Sequence, residues 1–537
     1  MLERVVVQRG VYHDSVTLMQ VSRQAGELPG VQAASAVAAT PVNLELLARQ
    51  GFRFDAGQLG PGDLVVAVRA DDEEAAGRAV ERIGELLAGQ GRPGGDGAPG
   101  RAAALPRSLR AAARRDPDLN LAVLSVPGRH LAYEAAQALQ AGLHVFCFSD
   151  GLQVAEEAAF KRRAAERGLL FMGADCGTAI LDGVGLGFAN AVRRGPVGVV
   201  GASGTGIQEV TCLLDWAGVG ISHAVGVGGR DLSPAVGGSM TLRALELLAA
   251  DEATGTIVVI SKPPDPEVAE RVAAAAAATG KPAVLAFPGM AGGAPAPPGG
   301  AMAGSLEAAA AWAAGRHGAT LPGTAAGPPA VTPGAIRGMF SGGTLCYEAM
   351  AVVAEAAGRV DSNIPLRPEW RLADPARSQG HTFVDFGDDA MTEGRAHPMI
   401  DPSLRAERFQ REAADPEAGV LVLDVVLGYG AHPDPAGQLA PLVDAALAAR
   451  PGGLSVVVSL CGADGDPQGL DAQAAALRDA GALVTRSSAR AARLALAAAG
   501  LGQGARPGSP TAAGGDGPDA GPGSPTAAGG DDQGAGP

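Results

Sequence analysis

The sequence predicts an α/β fold made of several doubly wound parallel-sheet domains, and three observations carry that expectation. Short apolar runs alternate with longer amphipathic stretches along most of the chain, the rhythm of a strand followed by a crossover helix. Glycine, 79 of 537 residues, falls repeatedly where an apolar run ends and a helical stretch begins. The hydrophobic fraction is 47% and the aromatic fraction only 4%, so small side chains must bring helices close to sheets.

Taken in order, residues 1–90 read as an N-terminal α/β domain. Its strands are expected at 5–7, 31–37 and 64–68, with helices at 13–25, from Thr40-Pro41, and from the acidic start at 71–74. A linker rich in Gly, Pro and Ala occupies 91–117. A second unit spans 118–195, with strands at 121–126, 143–148 and 169–172 separated by helices at 131–140 and 154–167. A third spans 196–288: a strand at 197–200 enters Gly201-Ala-Ser-Gly-Thr-Gly, and further strands follow at 223–227, 256–261 and 282–287. A Gly/Pro/Ala connector at 289–333 holds one helix, 306–314, before a last α/β domain at 334–503. The tail, 504–537, repeats one nonapeptide at 508–516 and 523–531, has nothing to bury and is expected to be disordered.

Composition excludes some partners. A formal net charge of -15 without a Lys/Arg cluster argues against nucleic acid and anionic membranes. Five scattered cysteines read as reduced thiols, and the first residues run straight into a strand pattern without a signal-peptide core. No apolar run reaches membrane-spanning length. The expectation is a cytoplasmic protein.

The third and last α/β units repeat one another. Gly204-Thr205 with Glu209 matches Gly343-Thr344 with Glu348; His223 and Asp231 frame Gly229 as His381 and Asp389 frame Gly387; Ala250 to Gly255 leads into a strand as Ala414 to Gly419 does. The second copy carries an insertion around 361–379. Each Gly turn lets backbone approach an anion, and the helix N-terminus adds unpaired N–H groups and positive potential. Ser203, Gly204, Thr205 and Gly206 in one copy, and Ser341, Gly342, Gly343 and Thr344 in the other, are therefore candidate phosphate ligands, able to face one shared anion. The alternative is a tight packing turn. Neither turn is a Walker A loop or a dinucleotide fingerprint.

Other candidates stand at expected strand ends or in loops. His397, beside Arg395 and Asp401, could bind a carboxylate or move a proton, or Asp401-Pro402 could simply start a helix. Asp388 and Asp389 could orient a ligand or cap; Arg230 and Asp231 are the equivalent pair, and Lys262 could meet a phosphate. His397, Arg395, Asp389 and Asp231 form the candidate catalytic set; Arg230, Asp388 and Lys262 join the ligand-binding set. No metal site is expected. Glu209 and Glu348 are explained by the helix dipole, His223 and His381 by structure, and Cys176 and Cys346 as inert buried thiols.

These segments also resemble a known family. Residues 199–209, 225–231 and 250–260 are similar to the ligase domain of the succinyl-CoA synthetase α subunit, and Gly173-Ala-Asp-Cys-Gly to the end of that subunit's CoA-binding domain. Residues 334–500 resemble the β-subunit ligase domain, and residues 1–500, including Val11-Tyr-His-Asp-Ser-Val and 394–402, resemble the FdrA family. The resemblance implies a CoA-binding-like Rossmann domain at 118–195 and two tandem flavodoxin-like ligase domains. It implies acyl-CoA synthetase chemistry, or carbamoyl transfer between oxalurate and phosphate giving oxamate and carbamoyl phosphate. The family's phosphorylatable His is missing from Pro288-Gly-Met-Ala-Gly-Gly-Ala, no CoA nucleotide loop shows in 1–60, and the 289–333 connector stands in place of the ATP-grasp domain. The expectation leans to phosphate or carbamoyl phosphate as ligand, with CoA and ATP in doubt, a small acyl or carbamoyl substrate, and an oligomer with other enzyme subunits. The alternatives are an acyl-CoA synthetase subunit whose partner supplies ATP and phosphohistidine, and a non-catalytic scaffold or sensor.

Overall fold

A computed structural model describes residues 2–11, 13, 15–55, 59–60, 62–89, 106–290, 296–323, 329–393 and 395–501. Most of the expected linker and all of the expected disordered tail lie outside them.

The first unit runs β1 (Leu2–Gln8), α1 (Ser15–Gly26), β2 (Val31–Ala38), α2 (Pro41–Arg49), β3 (Leu64–Ala70) and α3 (Glu73–Gly89). Helix α2 starts as its sequence implies: Thr40 Oγ1 accepts from Asn43 N–H, with Pro41 at the first helical position. The sheet order is β1-β3-β2 with both pairs antiparallel. This unit therefore departs from parallel winding. The crossover through α1 leaves a slot between β1 and β2, which β3 fills running the other way.

Next come α4 (Leu109–Arg115), β4 (Leu121–Leu124), α5 (Gly128–Gln140), β5 (His144–Cys147), α6 (Val154–Glu166) and β6 (Phe171–Met172), with β4-β5-β6 parallel. The hairpin β7 (Thr178–Leu181) and β8 (Val184–Gly187) then leaves that sheet and joins the following one. There β9 (Arg194–Gly201), α7 (Gly204–Trp216), β10 (Ile221–Gly226), α8 (Ser239–Ala250), β11 (Thr256–Ile260), α9 (Pro266–Ala278), β12 (Ala283–Ala286), β13 (Ala301–Ala303) and α10 (Leu306–Gly315) give the order β13-β12-β11-β9-β10-β7-β8. The stretch expected as a connector thus supplies the edge strand and last helix of the first copy, because β13 pairs with β12 and α10 is buried against α7.

The second copy comprises β14 (Ala335–Phe340), α11 (Gly343–Ala357), β15 (Asp361–Ser362), β16 (Thr382–Asp385), α12 (Asp389–Thr392), α13 (Ser403–Ala414), β17 (Ala418–Val426), α14 (Pro435–Ala449), β18 (Ser455–Cys461), α15 (Leu470–Asp479), β19 (Leu483–Thr485) and α16 (Ser488–Ala498). Its parallel order, β15-β16-β14-β17-β18-β19, reproduces the first copy's β10-β9-β11-β12-β13 in the five strands β16 to β19. The two copies share one core, in which Ile207 and Val210 of α7, Ala309 of α10, Leu345 of α11 and Ala495 of α16 are buried together.

Two carboxyls cross that core. Glu209 on α7 accepts from Ser488 N–H at the start of α16, 3.0 Å away, and Glu348 on α11 accepts from Leu306 N–H at the start of α10, at 2.6 Å. Each copy therefore caps the last helix of the other. Both side chains are buried, and the second oxygen of each has no hydrogen-bond partner among the described residues. Burial, then the nearby Glu348 carboxyl, holds Glu209 well above the usual range, and burial pushes Glu348 up to about 7.

A carboxyl raised on folding contributes fully below its unfolded pKa, and the contribution is lost as pH rises through its folded value. The rise of Glu348 from 4.5 to about 7 corresponds to on the order of 3 kcal/mol. The melting temperature should fall between pH 5 and 8, and the Glu209→Gln/Glu348→Gln variant should fall less steeply. A parallel pair of pH profiles by scanning calorimetry would contradict the assignment.

Candidate functional site

Strand ends bring the candidates to one edge. Ser203 follows β9, Arg230 and Asp231 follow β10, Lys262 follows β11, Ser341 follows β14, and Asp388 and Asp389 follow β16, the carboxyl ends where open α/β sheets hold ligands. The two Gly turns meet there. A Cβ added at Gly342 would stand 2.8 Å from Thr205 Oγ1 and 2.9 Å from its Cβ, so only glycine lets α7 and α11 start this close. A Cβ at Gly343 would stand 2.5 Å from Asp385 Oδ2 and 3.0 Å from Lys262 Nζ. Lys262 of the first copy thus reaches the N-terminus of α11 in the second.

The turns are not equivalent. In the first, Ser203 Oγ accepts from Gly206 N–H at 2.9 Å, leaving the Gly204 and Thr205 amides, which a first helical turn cannot satisfy internally. In the second, the buried Asp424 carboxylate binds the amides of the two residues that lead into α11, not those of its first turn, Gly343 and Thr344. Its Oδ1 accepts from Ser341 N–H and Ser341 Oγ at 2.8 Å and from Arg405 at 2.6 Å, and its Oδ2 accepts from Gly342 N–H at 2.8 Å. Ile260 holds the matching place in the first copy, five residues after Gly255 as Asp424 is five after Gly419. Two equivalent phosphate cradles were expected, and the approaches to the turns differ: Asp424 takes the two amides that lead into α11, whereas Ala202 N–H, before α7, donates to the Ile260 carbonyl. Ser341 and Gly342 accordingly leave the ligand-binding set, while Gly343 and the buried Thr344 stay at the first turn of α11.

Asp231 is a second correction. It is fully buried and accepts from Lys161 Nζ at 2.8 Å, Thr241 N–H at 2.9 Å, Thr241 Oγ1 at 2.7 Å and Met240 N–H at 3.3 Å. With its oxygens committed to capping α8 and to Lys161, it has a structural role rather than a catalytic one. Arg230 is anchored by Glu157 at 2.8 Å and by Leu152 O, yet its charge still acts on Asp175 and Asp389. Asp388 caps α12 through Ala390 N–H at 3.1 Å. Arg395 is exposed, and no hydrogen bond or ion pair among the described residues ties its side chain to the cleft.

His397 does reach the site. Its ring lies 5.3 Å from that of Phe188, and its Nε2 is 2.8 Å from where a Cβ on Gly387 would stand. Nδ1 accepts from Met399 N–H at 3.3 Å, which assigns the proton to Nε2. Burial, with help from Arg405 and against Asp424, lowers its pKa to about 4, so it is a neutral donor at neutral pH.

Three acids complete the cleft, two of them outside the expected set. Asp385 is buried, with Gly387 N–H on its Oδ1 at 2.9 Å; burial pushes it up to about 7 against the pull of Lys262. Asp175 is reached by solvent, yet desolvation within the cleft and the Asp389 and Asp150 carboxylates push it up to about 7. Asp389 is raised by desolvation, then by Asp150 and Asp388. Asp385 and Asp175 close apolar runs as Asp389 nearly does, and that position was their available signal. Among the described residues no group of three His, Cys, Asp or Glu is arranged for a metal ion.

Three family models match the chain: one described as CoA-ligase over residues 339–498, one as CoA binding domain over 192–289, and one as AllF, heavy metal-associated domain, over 1–102. The CoA binding match falls on the first ligase-like copy rather than on 118–195. A heavy-metal site needs soft thiolates, and every cysteine stands at 147 or beyond, so the N-terminal unit does not fit such a metal. Uncharacterized protein YahF of Escherichia coli (strain K12) is 41% identical over 509 residues, 92% of this chain and 98% of that protein. Succinate--CoA ligase [ADP-forming] subunit alpha 2 of Archaeoglobus fulgidus is 30% identical over 152 residues, 28% of this chain and 52% of that subunit. The ADP-forming sulfoacetate-CoA ligase subunit SauD of Bilophila wadsworthia is 30% identical over 155 residues, 28% and 52%. The chain spans about half the length of these two ligase subunits. No helix among the described residues is long and apolar enough to cross a membrane.

Two outcomes follow from the geometry. Asp424→Ala leaves Arg405 buried without its partner and should lower unfolding free energy by about 3–5 kcal/mol in denaturant titration. Anion affinity at the first turn of α7 should be highest where Asp175 and Asp385 are protonated and should fall as pH rises past about 7. Sulfate, whose charge is constant over this range, is the probe, and affinity that rises with pH would refute the role of these acids.

Proposed function

Because the chain belongs to the FdrA family of succinyl-CoA-ligase-like proteins, we propose that it is a subunit of an acyl-CoA-ligase-type enzyme whose two ligase-like copies hold one small acyl phosphate between them. The observation that supports this reading is the meeting of the two helix N-termini, with Lys262 of the first copy at the first turn of α11 and Asp424 tied to the two amides just before that turn. The phosphate rests on the Gly204 and Thr205 amides, the Thr205 hydroxyl and the Lys262 ammonium. His397 Nε2–H faces the carbonyl oxygen, where negative charge grows as a nucleophile attacks. The carbon–oxygen bond to phosphate then breaks, and the phosphate keeps the electron pair where the helix N-terminus stabilises it. Asp175 or Asp385, poised near pH 7, exchanges the proton that the nucleophile or leaving group requires. CoA is the acceptor thiol in this reaction, and a partner subunit supplies the nucleotide chemistry.

A second reading is carbamoyl transfer. A phosphate oxygen attacks the ureido carbon of oxalurate, the carbon–nitrogen bond breaks, and oxamate leaves with a proton from one of the same acids. The match of residues 1–102 to the model described as AllF, heavy metal-associated domain, and the lack of His in 288–294, support it.

The full chain with its co-purifying partners separates the two. ATP-dependent thioester formation is expected for the first; exchange of labelled phosphate into carbamoyl phosphate with oxamate, and no thioester, would replace it by the second. In either reaction Lys262→Ala and Thr205→Val should raise KM for the phosphate-bearing substrate, by about tenfold or more for the lysine. Unchanged KM in both variants would remove the cradle from the mechanism.

A further inference from the structure

At the opposite edge from the cleft, the amino ends of β4 and β5 face a cavity of about 470 Å³. Leu170, Met172, Leu181, Leu186, Val225 and Leu248 line it, contributed by the β4–β6 sheet, the β7–β8 hairpin, β10 and α8. Protein interiors hold few voids larger than one water, whereas sites for small organic molecules run from roughly 300 to 1,000 Å³. At a liquid-water share of about 30 Å³ per group, this cavity has room for on the order of fifteen non-hydrogen atoms.

The polar side chains in the wall are Asn120, His144, His223 and Asp251, and the two histidines are preset. His144 Nδ1 accepts from Leu170 N–H at 3.0 Å, and His223 Nδ1 accepts from Asp182 N–H at 3.0 Å. Both rings are thereby held in the same tautomer, each presenting an Nε2–H donor. The His144 donor has no partner among the described residues. His223 Nε2 lies 3.6 Å from Asp251 Oδ2 at the C-terminal end of α8. His144 is kept neutral by burial and then by the Arg243 charge, and Asp251, despite its desolvation, is kept ionised by hydrogen bonds from Thr254 and Ala253. A carboxylate ligand would meet an anion and no free cation in this wall. An uncharged carbonyl or amide oxygen on an apolar body meets a donor and apolar sides.

We propose that this cavity is a second ligand site, taking a small uncharged molecule whose carbonyl or amide oxygen accepts from His144 while its apolar body fills the space under the β7–β8 hairpin. It stands apart from the acyl-phosphate cleft and does not depend on that reading. The two sites share one wall, because the same hairpin sets Thr178 against Gly204 and leads to Phe188 against His397.

The isosteric pair 4-butylbenzamide and 4-butylbenzoate tests it on the full chain by titration calorimetry. The amide should bind saturably, one per chain, and at least tenfold more tightly than the carboxylate. His144→Asn keeps an acceptor for Leu170 N–H, while its shorter amide places no N–H at the position of Nε2, and it should weaken the amide by about three- to tenfold. Val184→Trp, at an exposed residue of the cavity wall, should abolish binding without unfolding the protein. No saturable binding by wild type, equal affinity for amide and carboxylate, or unchanged amide binding in both variants would overturn the proposal.

Discussion

Two helix N-termini aimed at one place are the constraint on which the rest of this structure depends. Thr205 packs against the bare Cα of Gly342, so the positive ends of α7 and α11 meet at van der Waals distance. Such ends repel unless negative charge lies beside them. Asp424 lies behind the N-terminus of α11, bonded to the Ser341 and Gly342 amides that precede its first turn, and Asp385 stands against Gly343 with Lys262 beside it. Among the described residues no carboxylate accepts from the amides of the first turn of α7.

The same close approach organises the interior. Helices α7, α10, α11 and α16 form one apolar core, across which each copy lends a glutamate to the other's last helix. A buried carboxyl is tolerable when neutral, and burial keeps both in that direction. Duplication therefore survives in topology and in the capping exchange, while the strand ends have diverged. Asp424 stands where the first copy has Ile260, and Lys262 where the second has Val426. That pair of differences gives two similar turns unlike surroundings.

Much of the fold was legible because period and punctuation were strong. Thr40-Pro41 and the strand–Gly–helix passages follow from local chemistry, whereas Ser203, read as a phosphate ligand, proves to cap α7. The antiparallel slot of β3 and the role of 301–315 were not legible, since both are decided by which strand edge lies free, a distant fact. In the site, Asp231 and Asp389 occupy matching places and looked alike. Only packing reveals that Lys161 and Thr241 saturate the first while the second sits among Asp150, Asp175 and Arg230. Asp175 and Asp385 were missed because a lone aspartate after a strand carries no mark of what will face it.

The sequence by itself determined the α/β winding, the internal repeat and the two glycine turns, since these follow from spacing, side-chain size and backbone freedom within a few residues. Tertiary structure alone decided that the turns touch, that Asp424 binds the amides leading into α11, and that the His397 ring stands over Gly387 with its Nδ1 taken by Met399 N–H. Those outcomes depend on charge and desolvation among groups far apart in the chain, and no local pattern encodes the distance between them.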